Sequence, residues 1–513
     1  MRMTNKIMQN NSLYNINQSK INEDKYNTQM GSQSKINRPS DDPVVAIRAL
    51  SLRTSVSDLT QYYEKNAPDA SNWISVTAKS LDTVTSVLKS IYSQATKGSN
   101  EDLTCSDLQT ITDQMNALTT EFYATGNADY AGRYVFTGYR TDTPLSYTED
   151  ATQQYNITEP LDKDDMSTIS YTNYSALTDN TDSTDDLDTN ITNTTLYRVR
   201  LSYNGLDSNY TTAETPPTTQ TPSLTVTDNT TMPATTETYP TTAYASAEEA
   251  YKAISEDTTG TLNAFVPSTG EIILNKTDYD AIQSSLASGD TMSTTYSKTD
   301  WSKGDLVPQH YFECTSNGIT YNDADAATGR TSGDASREIY YDVGYNQNIQ
   351  VNTNGNEVFT PDLQRDADDL NNAMSDLTAI NKTVTELKTK LSSLSSGTTD
   401  YETTETQLEA ANKAYSYVRE NVQTLMEKQV SNYQTYNDQC SVAITENGTR
   451  STRLNLIKTR LMSQQSTFKD LQQSNEGIDM STVAVQLASA ELTYEASLKA
   501  TSKILQNSLM NYI

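Results

Sequence analysis

The chain has one histidine, His310, in 513 residues, and three cysteines, Cys105, Cys314 and Cys440, each in a different segment. A single imidazole cannot supply a His-Glu-x-x-His pair, so a zinc peptidase is excluded on ligand count. Three scattered thiols form neither a disulfide framework nor a zinc site, and read as buried small apolar residues. A glycine-rich phosphate loop and a nucleophile elbow are also missing. No apolar run approaches the ~20 residues of a spanning helix, and the mean hydropathy is −0.66. Basic residues are short too, 37 against 66 acidic, giving a formal net charge of −29 and a pI near 4.3. Such a surface repels phosphates, which excludes nucleic acid as a partner. The opening Met1–Asn11 has no apolar h-region and no small-residue cleavage site. That leaves a cytosolic protein, or one exported without signal cleavage. The chain reads as no enzyme, with no cofactor and no metal.

Seven-residue apolar patterning at both ends is what the chain does have. After Ile36–Pro43 comes a seam at Val45, Ala49, Leu52, Val56, Leu59 and Tyr63, with spacings alternating four and three. Pro43 suits the first helical position and Asp42 its N-cap, with Asp41 adding charge at the dipole's positive end. Acid–base chemistry by this carboxylate pair is the lesser reading beside capping. Pro68 is expected to kink or restart the helix. Further seams follow at Ile74, Thr77, Leu81, Val84, Leu88, Ile91 and Ala95, and at Leu108, Ile111, Met115, Leu118 and Phe122. Beyond the middle, Leu370, Ala373, Leu377, Ile380, Val384, Leu387, Leu391 and Leu394 form the longest seam. Tyr415, Val418, Val422 and Leu425 come next, then Leu454, Ile457, Leu461, Phe468 and Leu471. A last helix should begin near Asp479, after Asn475-Glu476-Gly477.

Residues 1–35 carry one apolar residue per heptad, Ile7, Tyr14 and Ile21, too few to hold an isolated helix. They are expected to be disordered alone and helical only against partners. From 141 to 360 the chain is crowded with Thr, Ser, Asn, Asp and Tyr. Strands are expected at Tyr197–Tyr203, Gly270–Leu274 and Glu338–Val343, and short helices after Ser246 and over Asp278–Ser288. Thr211–Thr242 reads as a flexible, exposed excursion. The 33 tyrosines, against 6 phenylalanines, read as solvated β-surface. The fold class is therefore α+β: a discontinuous coiled-coil rod of N- and C-terminal segments with a β-rich insertion. Its parts are 1–43 and 476–513 as assembly helices, 44–140 and 361–475 as the rod, and 141–360 as the outer domain.

Four segments carry a resemblance: Met1–Lys6, Ile36–Pro43, Gly132-Arg133-Tyr134-Val135-Phe136-Thr137-Gly138 and Tyr494–Ile513. With Gly448-Thr449-Arg450 and Arg453-Leu454 they resemble the flagellin superfamily and, within it, the hook–filament junction proteins. Arg38-Pro39-Ser40 before the Asp pair, and Pro43 after it, is the junction form. The resemblance implies an extracellular subunit of the bacterial flagellum, exported unfolded by the flagellar type III route. It implies a homo-oligomeric ring, and as partners hook-associated protein 1, flagellin and an export chaperone, with no membrane. Candidate interface residues are Ile7, Tyr14, Ile21, Arg38, Asp41, Asp42, Leu487, Tyr494, Leu498, Leu505 and Leu509, the C-terminal ones as an apolar stripe left open. A filament-building flagellin and a surface glycan-binding adhesin are the alternatives.

Overall fold

The computed structural model describes residues 5–100, 102–174, 177, 191–211, 218–229, 235–257, 259–321 and 337–510. The side chains of Asn5 and of 504–510 fall outside that description. Its helices are α1 (Asn5–Ser32), α2 (Pro43–Gln61), α3 (Ala67–Gly98), α4 (Cys105–Thr125), α5 (Ala247–Glu256), α6 (Lys276–Ala287), α7 (Asp362–Ser393), α8 (Thr399–Glu476) and α9 (Met480–Met510). Contacts group the chain into two compact units. One comprises Met1–Ser71, Tyr341–Ile349 and Thr452–Ile513, and the other Asn72–Tyr340 and Gln350–Ser451. Helices flank a central β-rich region, as the composition implies.

In the larger unit the strictest seam is also the best buried. Every residue of the Ile74–Ala95 seam on α3 is inside. Each of Leu81, Val84, Leu88 and Ile91 contributes about 1.5–3 kcal/mol by leaving water. Its antiparallel neighbour is α8. Asn447 donates Nδ2 to the Ile74 carbonyl at 3.0 Å, Cys440 Sγ lies 3.3 Å from Thr85 Oγ1, and the Tyr92 and Tyr433 rings sit 4.7 Å apart. Helix α4 pairs in the same sense with α7. Asn116 and Asn371 exchange amide hydrogen bonds, and Tyr123 donates its hydroxyl to the Thr360 carbonyl at 2.6 Å. On α4 the buried stripe runs Leu108, Thr112, Met115, Thr119 and Phe122. Ile111 and Leu118 are only half-buried, because the 3.6-residue turn drifts away from a strict 3.5 repeat. Cys314 and Cys440 are buried, whereas Cys105, the first residue of α4, is half-exposed. That corrects the reading of three buried thiols.

Pro68 does not break the helical run. A single π-turn, Tyr62–Asn66, precedes it, and the Ala67 N–H donates to the Tyr62 carbonyl. Widening the turn is one answer to a ring that cannot donate and crowds the carbonyl four residues back. Helix α8 runs 78 residues, joining apolar groups that the sequence shows as separate. Val384 and the residues before it in the α7 seam are buried, whereas Leu387, Leu391 and Leu394 are half-buried and Leu471 on α8 is exposed.

The chain leaves α4 at Thr125 and re-enters helix at Asp362, and most of the β-rich region lies between Tyr147 and Gly304. These two are tied to each other: the Gly304 N–H donates to the Tyr147 carbonyl at 2.8 Å, and the Tyr147 N–H to the Asp305 carbonyl at 2.8 Å. Between and beyond them lie two sheets. The five-stranded sheet has the order Thr242–Ala243, Ala264–Val266, Glu271–Leu274, Thr192–Arg200 and Met166–Asn173. The six-stranded, antiparallel one runs Ile319–Tyr321, Glu313–Ser316, Ala151–Leu161, Thr291–Trp301, Leu224–Asp228 and Thr235–Tyr239. Both short helices form, α5 with the expected cap Ser246 and α6 from Lys276 rather than Asp278, capped by Asn275. The expected excursion at Thr211–Thr242 is corrected in part: Leu224–Asp228 is paired on both sides, with Leu224 and Val226 buried. The surface reading of the tyrosines is corrected too. Tyr155, Tyr203, Tyr296 and Tyr311 are buried, and Tyr296 and Tyr311 donate their hydroxyls to Glu159 and to the Phe359 carbonyl. A phenol can enter a core when its oxygen finds a partner.

A buried ionic cluster joins the five-stranded sheet to the helices. Arg198 and Arg200 point from one strand face toward Asp362, Asp366 and Asp369 on α7. Arg198 also meets Glu271 at 3.1 Å. Asp366 further accepts from Asn432 and Tyr436 of α8, both at 2.7 Å. Burial alone would raise the Asp369 carboxyl, but the charges of Arg198 and Arg200 outweigh it and hold the group well below the usual carboxylate range.

Candidate assembly surface

The smaller unit holds both terminal helices. Residues 5–32, expected to lack order alone, form one helix packed along α9 of the same chain. The apolar pattern of α1 alone does not show this partner. Gln29 is the buried residue of α1, and its less exposed positions include a row at Ser12, Ile16, Ser19, Glu23, Tyr26 and Met30, spaced four and three but half polar. The less exposed positions of α9 have the same rhythm: Val483, Leu487, Ala490, Tyr494, Ser497 and Thr501. A search for apolar heptads sees only one partner of this pair.

Other apolar residues of α1 lie on the opposite side. Ile7, Tyr14 and Ile21, one per heptad, are 49, 69 and 60% exposed, with Leu13 beside them. On α9, Val485 and Leu492 are 70 and 69% exposed, again seven residues apart. Leu498 is exposed, whereas Leu487 and Tyr494 are half-buried in the row facing α1. Leu505 and Leu509 carry side chains outside the described residues. Each helix thus has an inner row that meets the other helix and an apolar row turned to solvent.

Between α1 and α2, Asp42 caps α2 by accepting the N–H groups of Val44 and Val45 at 3.0 and 3.1 Å. Asp41 has a different task from the one expected. Its Oδ2 accepts from Arg38 and Asn37 N–H at 2.9 and 3.0 Å, closing the preceding turn. Those two bonds lower its carboxyl pKa. The Arg38 side chain is exposed. Asp479 caps α9 through the N–H groups of Ser481 and Thr482. Ser34 and Arg53 beside these turns carry no sequence signal, and Asn475 and Glu476 read from sequence only as a helix break. The available signal was Glu476, a carboxylate at a helix C-terminus, where helix electrostatics disfavour it.

His310 is buried with Nε2 3.1 Å from the Pro144 carbonyl, which gives it a structural place. Among the described residues, no group of three or more His, Cys, Asp or Glu is arranged to hold a metal, and no helix is long and apolar enough to cross a membrane.

Residues 3–141 match the family described as the bacterial flagellin N-terminal helical region. Flagellar hook-associated protein 3 of Escherichia coli (strain K12) is 27% identical over 144 residues, 28% of this chain. The match spans 45% of that relative, less than half its length. Among solved structures, a flagellar hook-associated protein from Vibrio parahaemolyticus is similar at 12% identity and a TM-score of 0.33, over 85% of this chain and 100% of the other. Xanthomonas campestris FlgL is similar at 10% identity and 0.30, over 82% and 99%. The flagellar junction protein FlgL from Legionella pneumophila gives 11% and 0.22, over 77% and 99%.

Proposed function

We propose that this chain is a structural subunit of the bacterial flagellum that joins hook to filament and offers flagellin a surface on which to polymerise. The observation that carries the reading is a flagellin-type N-terminal region whose first helix pairs with the last helix while both keep an apolar row in solvent. A second copy is the occupant of those rows: the row of α1 and the row of α9 lie on opposite outer faces of one pair, so contact between copies is head-to-tail, the kind that forms a ring where the rotation closes. Hook-associated protein 1 below and flagellin above are the proposed neighbours, and an export chaperone covers the apolar rows before assembly. The subunit acts outside the cell after export without signal cleavage. Its role is mechanical, not catalytic. The junction form at Arg38–Pro43 and the hook-associated relative favour this reading over a filament-building flagellin.

Deleting the gene tests it. Hooks should remain, filaments should be absent, and unpolymerised flagellin should appear in the medium. Normal filaments in the deletion strain would end the junction reading. A filament subunit would instead dominate sheared filaments, and loss of an adhesin would leave motility intact.

A further inference from the structure

Glu476 stands where helix physics disfavours it. It is the last residue of α8, whose last turn has no basic residue, so its carboxylate meets the negative end of the dipole. It is nevertheless buried. Arg53 of α2 donates Nε to both carboxylate oxygens at 2.9 and 3.0 Å and Nη2 to Oε2. The Glu476 carbonyl accepts the Lys35 N–H at 2.7 Å, and Ser34 and Gly477 form an antiparallel bridge. Gln29 Nε2 donates to the Lys35 carbonyl at 2.7 Å, and Asn475 Nδ2 to the Val45 carbonyl at 3.2 Å. The exit from α1 and the turn from α8 into α9 are therefore tied at one place, with Glu476 holding it by side chain and backbone together.

The Arg53 side chain is 55% exposed, and so open an ion pair adds little to stability. A forked guanidinium–carboxylate contact instead fixes direction. A local rule broken beside a dedicated partner marks a working site. We propose that Arg53 and Glu476 are positioning residues for assembly: they fix the direction in which the α1–α9 pair leaves α2 and α8, so that its outer apolar rows meet the next copy in register. The role in assembly rests on the reading above; the latch itself does not.

Hydrogen exchange on the full-length monomer tests it, with Arg53→Gln, Glu476→Gln, the double variant and the charge swap Arg53→Glu with Glu476→Arg. Each single variant should speed exchange at the Lys35 and Gly477 amides about tenfold while α3 protection stays unchanged, since only a local opening is affected. The double variant should exchange no faster than the singles, and the swap should restore most of the protection. Unchanged or slower exchange in Glu476→Gln, as relief of the dipole alone would give, overturns the latch, as do additive single effects. Intact filaments in the deletion strain would overturn the junction reading and leave this result standing. With the latch confirmed in the monomer, Glu476→Gln should lower filament number in cells, and unchanged filaments would overturn its role in assembly.

Discussion

Replacing Arg198 with Met would remove the one cation that touches both Glu271 and Asp369. The side chain is nearly isosteric along its stem, so the change deletes charge with little loss of packing. Glu271 and Asp369 are 1 and 11% exposed at their side chains, and stranding one partner of a buried pair costs about 3–5 kcal/mol. Arg200 remains 3.3 Å from Asp369, which places the expected loss at the lower end, about 3 kcal/mol at pH 7. Equilibrium urea unfolding at pH 7 and at pH 4.5 gives the measurement. In the native protein the depressed Asp369 carboxyl contributes stability above its unfolded value, near 3.9, and that contribution fades as pH falls toward the folded value. In the variant burial acts on Asp369 without the opposing Arg198 charge, so its carboxyl rises and takes up a proton more readily, and the gap between the two proteins narrows at pH 4.5. Adding Glu271→Gln and Asp369→Asn should recover much of the loss. A loss below about 1 kcal/mol, or a gap that does not change with pH, would refute the claim that this cluster holds sheet to helix.

Two further outcomes follow from the same packing. Val485→Asp with Leu492→Asp should leave monomer unfolding unchanged within about 0.5 kcal/mol, because both side chains face solvent. Assembly of the purified protein, followed by sedimentation, should nevertheless fail through burial of charge. Leu81→Ala, at a fully buried seam position, should cost about 2–5 kcal/mol in urea unfolding.

How much of this was legible depended on what each element packs against. Helix α3 could be drawn residue by residue because each of its seven seam positions is apolar or Thr and all are buried. Helix α1 could not, since its inner row of Ser12, Ser19 and Glu23 looks like surface, and its visible apolar row is the one left in water. The strand at Leu224–Asp228 was hidden by the threonines around it, although Leu224-Thr225-Val226-Thr227 alternates correctly. In the sequence Arg198 and Arg200 read as part of a strand and not as a site. The two-residue spacing puts both on one face, and Asp362, Asp366 and Asp369 at helical spacing were their available complement. The apolar seams find the helices, whereas polar partners across long stretches of chain need the fold itself.

The Tyr147–Gly304 doorway bears on how such a chain can change over generations. Because Tyr147 and Gly304 are hydrogen-bonded neighbours, the segment strung between them starts and ends at one place whatever its length. Closing a longer loop costs only about 0.6 kcal/mol per doubling, so the stability of the framework is nearly indifferent to the size of its cargo. The doorway is thus a port at which segments can be exchanged, provided the newcomer supplies cations for Asp366 and Asp369 and a strand to pair with Glu313–Ser316. Lineages could vary the face they show the outside world there while the assembling ends stay under separate selection.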